Sequence, residues 1–242
     1  MSYAVISDVH ANLHALEAVL QDINGKGITD IYFIGDAVGY GPRPNQCIDI
    51  IKQRCILTLA GNHDWAAIGY TDITYFNKYA KQAIEWTIEE LSNEHMEDIK
   101  SFNLIKSSEK EDAFFAHATP MEPVLWSYLF TVEQVEKNFS AFKQSICFIG
   151  HSHLAIVFEL EVSGQIYIHK DPIIIKNKQS RYIVNTGSVG QPRDNDNRSS
   201  YAVIQDDTIE IVRVTYDIEA TQAEMKAAGL PEMLINRLSF GM

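Results

Sequence analysis

The sequence predicts an α/β fold with a parallel first half and an antiparallel second half, and three observations carry that prediction. Up to Leu59, short apolar runs alternate with helical periodicity, as successive βαβ units do. Beyond Gly150, strand-like runs follow one another without intervening helices, the pattern of antiparallel pairing. Finally, run after run stops at a polar donor: AVIS at Asp8, FIG at Asp36, LTLAG at Asn62, AFFA at His117 and CFIG at His151. Ligands of open α/β sheets bind beyond the carboxyl ends of the strands, so these five positions should converge on one rim. The stretch FIGDAVGYGP, Phe33 to Pro42, is the centre of that arrangement, because Asp36 stands where a buried strand gives way to a glycine-studded loop.

In chain order, Tyr3 to Ser7 is the first strand. Asp8-Val9-His10 and Asn12 follow, and then Leu13, Leu16, Val19, Leu20 and Ile23 give a helix one apolar face until Gly25 and Gly27 end it. A second unit has its strand at Ile31 to Ile34, a loop from Asp36 to Pro44 and a helix from about Asn45 to Lys52 with Ile48 and Ile51 inward. Cys55 to Leu59 is a third strand, closing at Gly61-Asn62-His63-Asp64. Ile73 to Asn103 reads as helical cover for the sheet, broken near Ser92-Asn93. Ala113 to Ala116 returns as a strand and delivers His117. Thr119 to Phe130 has aromatic residues but no period. It suits a lid over a cleft, or rings packed under a long connection. Thr131 to Phe142 is a short amphipathic helix, so the lid region as a whole is 119–142. Ile146 to Ile149 leads to Gly150-His151-Ser152-His153. Strands are then expected at Ala155 to Leu160, Gln165 to His169, Arg181 to Asn185, Tyr201 to Ile204 and Ile209 to Val214, together supplying a second sheet. A helical tail, 218–242, divides at Gly229-Leu230-Pro231.

With 242 residues, 46% of them apolar, the chain has enough material for one domain with a substantial core. Cys47, Cys55 and Cys147 are odd in number and form no C-x-x-C pair, which argues for a reducing compartment and a cytoplasmic location. No signal-peptide apolar region precedes Asp8, and no apolar run is long enough to span a bilayer. A net charge of −12 repels nucleic acid and anionic membranes at long range. A small phosphorylated substrate would then need local positive charge, most economically from metal ions. The composition is also compatible with a homo-oligomer.

Asp8, His10, Asp36, Asn62, His117, His151 and His153 offer oxygen and imidazole donors and no thiolate, a set that suits Mn, Fe, Zn or Co. Any one of them alone reads equally well as an ordinary polar turn; the ordered set does not. Seven ligands exceed one tetrahedral ion and suit two, with Asp36 as the natural bridge. Two ions about 3.5 to 4 Å apart are the arrangement in which a metal-held water becomes hydroxide and attacks phosphorus in line. His14, one helical turn from His10, is a candidate support, whereas His95 and His169 read as surface residues.

In this order, D8-V-H10, G35-D36, G61-N62-H63-D64, H117 and G150-H151-S152-H153 resemble the calcineurin-like metallophosphoesterase superfamily. The resemblance implies a four-layer sandwich, two mixed sheets face to face with helices outside. It implies one metal held by Asp8, His10, Asp36 and His153, and the other by Asp36, Asn62, His117 and His151. His63 would be the non-ligand acid that donates to the phosphate or leaving group, with Asp64 as its carboxylate partner. G39-Y-G-P and N185-T-G-S-V-G-Q-P-R193 resemble a bacterial and archaeal branch of small phosphoesterases related to diadenosine tetraphosphatases. Protein serine/threonine phosphatases carry an arginine in the loop after the bridging aspartate. This chain has Val38-Gly39-Tyr40 there. Ala11 and Ser152 stand where many relatives have glycine and threonine, and neither is a ligand.

Arg43 and Arg193 are candidates to hold a phosphate bidentately, though each also reads as a solvated loop cation. Tyr40 and Tyr128, with the aromatic segment around Trp126 to Phe130, are candidates to stack a nucleobase. The expected function is a dinuclear metal-dependent phosphoesterase acting on a small phosphorylated molecule such as a nucleotide or dinucleoside polyphosphate. The competing readings are a protein-binding scaffold of the same fold, like the retromer subunit, and a protein phosphatase. His63, together with a full ligand set, favours the enzyme over the scaffold.

Overall fold

The computed structural model describes residues 2–242. Its strands and helices run β1 (Ser2–Ile6), α1 (Leu13–Gly25), β2 (Ile31–Phe33), α2 (Pro44–Arg54), β3 (Leu57–Thr58), α3 (Asn62–Ala67), α4 (Lys78–Glu90), α5 (Asn93–Ser101), β4 (Ile105–Ser108), β5 (Ala113–Ala116), α6 (Val132–Phe139) and β6 (Ile146–Ile149). There follow β7 (Ala155–Leu160), β8 (Ile166–His169), β9 (Ile173–Ile175), β10 (Arg181–Thr186), β11 (Ser199–Gln205), β12 (Thr208–Val214), α7 (Ile218–Ala227) and α8 (Glu232–Arg237). Two six-stranded mixed sheets result, ordered β3-β2-β1-β11-β12-β9 and β4-β5-β6-β10-β7-β8.

The period of two along each strand sorts side chains between layers. In β1, Ala4 and Ile6 enter the layer shared with α1 and α2, while Tyr3 and Val5 enter the layer between the sheets. In β5, Ala113 and Phe115 face that inter-sheet layer, where Phe115 stacks on Tyr32 across the interface. Phe114 and Ala116 face outward against Val135 and Phe139 of α6. Helix, sheet, sheet and helix therefore follow one another, as the sequence resemblance implied. Helix α1 shows how local sequence secures a layer. Ala15, Leu16, Val19, Leu20 and Ile23 form its buried stripe, and the Asn12 side chain caps it by accepting from the Ala15 N–H, a contact typically worth about 1 kcal/mol.

The C-terminal strands do not make a sheet of their own, contrary to expectation. Strand β10 pairs parallel to β6, whereas β11 crosses to the other sheet and pairs antiparallel to β1. Both edges needed partners, and the connection between β10 and β11 supplies them by passing directly over the rim of the first sheet, where the Val189 and Gly190 N–H groups donate to the Ser7 and Asp8 backbone oxygens. Two short strands, β4 and β9, carry no alternation strong enough to mark them. The expected strand Cys55 to Leu59 narrows to Leu57–Thr58, and the expected helix from Ile73 begins only at Lys78, after a 3-10 turn at Ile73–Tyr75. The Gly61-Asn62-His63-Asp64 turn is in fact the start of α3. At the other end of the chain, Met225, Leu230, Leu234 and Leu238 pack with Tyr40, Ala80 and Ala83, so the helical tail rests on the loop that follows β2. No helix among the described residues is long and apolar enough to cross a membrane.

Candidate metal centre

The strand ends converge as the sequence implied, and they are held together by backbone bonds. The Asp8 N–H donates to the Gly35 oxygen, the His10 N–H to the Asp36 oxygen and the Gly150 N–H to the His117 oxygen. The His151 N–H reaches across to the Asp8 carboxylate at 3.0 Å. Asp8, His10, Asp36, His117 and His153 are essentially without solvent exposure, and Asn62 and His151 are buried beside them. Asp8, His10, Asp36, His151 and His153 all adopt positive φ, between 50° and 64°. Such backbones are costly for non-glycine residues and persist where the surroundings over-determine them, which points to function. Gly61 is required by contact: a Cβ there would lie 2.1 Å from Asp36 Oδ1.

Three imidazoles are oriented alike. The Nδ1 atoms of His10, His117 and His153 lie 3.1, 3.0 and 2.5 Å from the backbone oxygens of Val38, Ile34 and Gln191. An N–H on each Nδ1 leaves each Nε2 as a bare lone pair aimed inward. His10 Nε2 and His153 Nε2 are then 3.0 Å apart, two acceptors facing each other. Beside them, Asp8 Oδ1 is 3.2 Å from His153 Nε2, and Asp36 Oδ2 is 3.2 Å from His117 Nε2 and 3.7 Å from His10 Nε2. Asp36 Oδ2, Asn62 Oδ1, His117 Nε2 and His151 Nε2 are buried and have no hydrogen-bond partner within the protein. Buried acceptors without donors are costly, and a cation between them removes the cost. The residues therefore fit metal. Asp8, His10 and His153 make one tight group, Asp36, His117 and His151 another, and His10, Asp36 and His63 a third that overlaps the first through His10 and the second through Asp36.

The charges agree with ligand roles. Burial alone would push Asp36 up, but His117 and His63 hold it well below the usual carboxylate range. Asp8 is likewise held down, chiefly by His153, against its own burial. Burial pushes His10 well down and His151 down to about 3, so both present neutral imidazoles. His117 differs: burial opposes its charge, yet Asp36 and Asp8 raise it to about 9, which shows how much negative potential gathers at that nitrogen.

A profile of the calcineurin-like phosphoesterase superfamily domain matches residues 1–208. An uncharacterised protein of Methanocaldococcus jannaschii is 41% identical over 242 residues, which is 98% of this chain and 97% of that protein. The crystal structure of a metallophosphoesterase from Sphaerobacter thermophilus superposes with a TM-score of 0.86 at 39% identity, covering 100% of this chain and 99% of that one. A hypothetical protein of Pyrococcus horikoshii shares the fold, with a TM-score of 0.81 at 18% identity over 100% and 98% of the two chains. The chain belongs to the calcineurin-like phosphoesterase superfamily.

In this metallophosphoesterase the residues around the ligands depart from expectation in three places. Asp64 is not the partner of His63. Its Oδ2 accepts the N–H groups of Asp36 and Gly61, and its Oδ1 that of Val38, so the carboxylate fastens the β2 loop to the start of α3. His63 itself has a buried Nδ1 with no partner and lies against Tyr40, His10 and Phe76, with ring centres 4.5, 4.9 and 5.1 Å away. Burial pushes it down to about 4, so nothing in the resting site keeps it protonated. Arg43 is committed elsewhere: its guanidinium grips Glu224 of α7 with two bonds of 2.9 Å. His14 also turns to Glu224, 3.5 Å away, and does not support His10.

Asp64→Ala therefore removes three buried hydrogen bonds at once. With each orphaned N–H costing about 1 to 3 kcal/mol, the metal-free variant should lose about 3 kcal/mol or more of stability in denaturant titration. A carboxylate acting only as a charge partner of His63 would leave that stability unchanged.

The remaining candidates do reach the site. Tyr128 stacks on His151 at 4.2 Å, and the Arg193 guanidinium lies 5.5 Å from the ring centre of Tyr40. Tyr40 lines a cleft together with Tyr128 but is buried against His10 and His63, with the Arg193 guanidinium over its ring. Sequence reasoning missed the supports. Asn185 donates to the Gly150 oxygen and Ser152 Oγ, fixing the loop that carries His151 and His153, and Ser188 Oγ donates to the Asp8 oxygen. Their signal was present in the motif N185-T-G-S-V-G-Q-P-R193, but that motif gives no hint of which loops it would meet.

Proposed function

We propose that this metallophosphoesterase hydrolyses a small phosphorylated substrate with two divalent ions. One would be held by Asp8, His10, Asp36 and His153, and the other by Asp36, Asn62, His117 and His151. The observation that carries this reading is the pair of converging lone-pair clusters with Asp36 between them, its Oδ2 within 3.2 Å of His117 Nε2 and 3.7 Å of His10 Nε2. The oxygen and imidazole set suits Mn, Fe, Zn or Co. Such ions supply an acidified water and charge stabilisation for the phosphoryl oxygens. The protein's part is to bring the ligands together, hold Asp8 and Asp36 anionic and His10 and His151 neutral, keep the site dry, and place His63 beside the ligands.

The substrate reading comes from a cleft of about 490 Å³ that opens directly on Asn62, His63 and His151. One wall is Trp126 and Tyr128; the other is the segment 71–77, with Phe76 against His63 and Tyr75 left 89% exposed. Two aromatic walls beside a phosphate-sized metal site suit a nucleotide, including a dinucleoside polyphosphate. Stacking on one ring is typically worth about 1 to 3 kcal/mol. In the Mn-loaded protein kcat/KM for diadenosine tetraphosphate should therefore exceed that for glycerol phosphate by about tenfold or more. Trp126→Ala should erase much of that ratio while glycerol phosphate is turned over as before. Equal values for the two substrates in the wild-type protein would refute the nucleotide reading and leave the metal reading intact.

A further inference from the structure

Of the four histidines in the candidate ligand set, three owe their orientation to the main chain. His10, His117 and His153 each set Nδ1 against a backbone oxygen. His151 is the exception. Its N–H on the Asp8 carboxylate fixes the backbone but not the ring, its Nε2 is buried with no hydrogen-bond partner, and no oxygen holds its Nδ1 among the described residues. What lies on this ring is another ring. Tyr128 stacks on it with centres 4.2 Å apart and planes 20° from parallel, and Phe130 stacks on Tyr128 in turn, at 5.0 Å and 14°. A ligand imidazole with no orienting partner is free to rotate about χ2 and carry its lone pair away from the ion. A stacked neighbour fixes the plane of the ring, and the ligating lone pair lies in that plane.

Tyr128 stands on a segment that is attached to the protein chiefly by rings. At its ends, Met121 donates its N–H to Asn138 Oδ1 and Phe130 its N–H to Gln134 Oε1, both on α6, and Leu129 packs against the outer core there. Between these anchors, the hydrogen bonds of residues 122–128 are internal among the described residues: the Leu125 N–H donates to the Glu122 oxygen and the Trp126 N–H to the Pro123 oxygen. Trp126, held at a φ of 51°, meets Trp65 at 5.2 Å and His117 at 6.0 Å. The two imidazoles that the segment touches, His117 and His151, belong to one ligand group, the one they form with Asp36.

We propose that Tyr128 is a positioning residue for His151: its ring does for this ligand what backbone oxygens do for the other three. An ion held by Asp36, Asn62, His117 and His151 and the closed position of segment 122–128 then favour one another, because each needs the His151 ring in its present plane. The proposal rests on the two-ion reading above. The role belongs to the face of the ring, so the hydroxyl is dispensable for it.

The test is titration of metal-free protein with Co(II), read by visible absorbance and by metal content per chain. Tyr128→Ala should weaken one of two ions by about tenfold, the low end of what losing an orienting partner costs, and leave the other unchanged. Tyr128→Leu keeps bulk without a ring and should show the same loss, whereas Tyr128→Phe should bind as the wild-type protein does. In a His151→Ala background, where that ion is already lost, Tyr128→Ala should do nothing further to the remaining one. Chymotryptic cleavage after Trp126 reads the other side of the linkage. The ion should slow it several-fold in the wild-type and Tyr128→Phe proteins and leave it unchanged in Tyr128→Leu. Two ions held at wild-type affinity by Tyr128→Ala and Tyr128→Leu overturn the proposal, and so does a further loss in the His151→Ala background, an equal loss in Tyr128→Phe, or cleavage of the wild-type protein that is indifferent to the ion. A wild-type chain that binds a single ion, weakened by Tyr128→Ala and not by Tyr128→Phe, would instead overturn the two-ion reading and leave the role of Tyr128 standing.

Discussion

Asp36→Asn is expected to empty both metal positions and to lower kcat/KM by about 10³ or more. The size follows from the contribution of bound metal to phosphoryl transfer, which is several kcal/mol, at about 1.4 kcal/mol per tenfold. The reason is geometric. Asp36 Oδ2 is 3.2 Å from His117 Nε2 and 3.7 Å from His10 Nε2, so it faces both ligand groups, and its other oxygen accepts the His63 N–H at 2.8 Å. An amide there removes the charge that both ions would share and brings a donor into a set of acceptors. His153→Ala touches one group and should chiefly empty one position. Metal content per chain decides the matter: two ions retained by Asp36→Asn at wild-type affinity would sink the bridging assignment.

His63→Gln is expected to keep both ions and lose about 10² or more in kcat on alkyl phosphate esters, within the range typical of a positioned proton donor. The loss should be smaller on nitrophenyl esters, whose leaving group hardly needs a proton. His63 follows Asn62 in the first turn of α3, so the turn that presents a ligand also fixes the imidazole at the mouth of the cleft. Burial holds it neutral at rest and Asp64 is spent on backbone bonds, so a proton must arrive with the substrate's own negative charge. The pH dependence of kcat on an alkyl ester should accordingly report a group in the enzyme–substrate complex that is absent from the profile of His63→Gln. An equal drop on both ester types would assign His63 to charge stabilisation of the phosphoryl oxygens. Unchanged rates with bound metal would remove it from the chemistry.

The sequence alone made the candidate ligand set legible. Each of Asp8, Asp36, His117 and His151 follows an apolar run, and a buried strand that stops at a polar residue states both where the chain turns and what it presents there. The α/β class and helices such as α1 were legible for the same reason, since periodicity of burial is a local property. Tertiary structure decided the rest, because it depends on partners distant in sequence. Asp64 looked available for catalysis and Arg43 for holding a phosphate. The fold spends the first on three backbone N–H groups, two of them in a loop at least 26 residues away, and the second on Glu224, 181 residues away. Residues 73–77 read as helical cover, yet they help close a cleft because the break between α3 and α4 places Phe76 beside His63. Only tertiary packing seats Met225, Leu230, Leu234 and Leu238 of the tail on Tyr40, since hydrophobic contact is non-directional and leaves no mark in local sequence by which the partner could be foreseen.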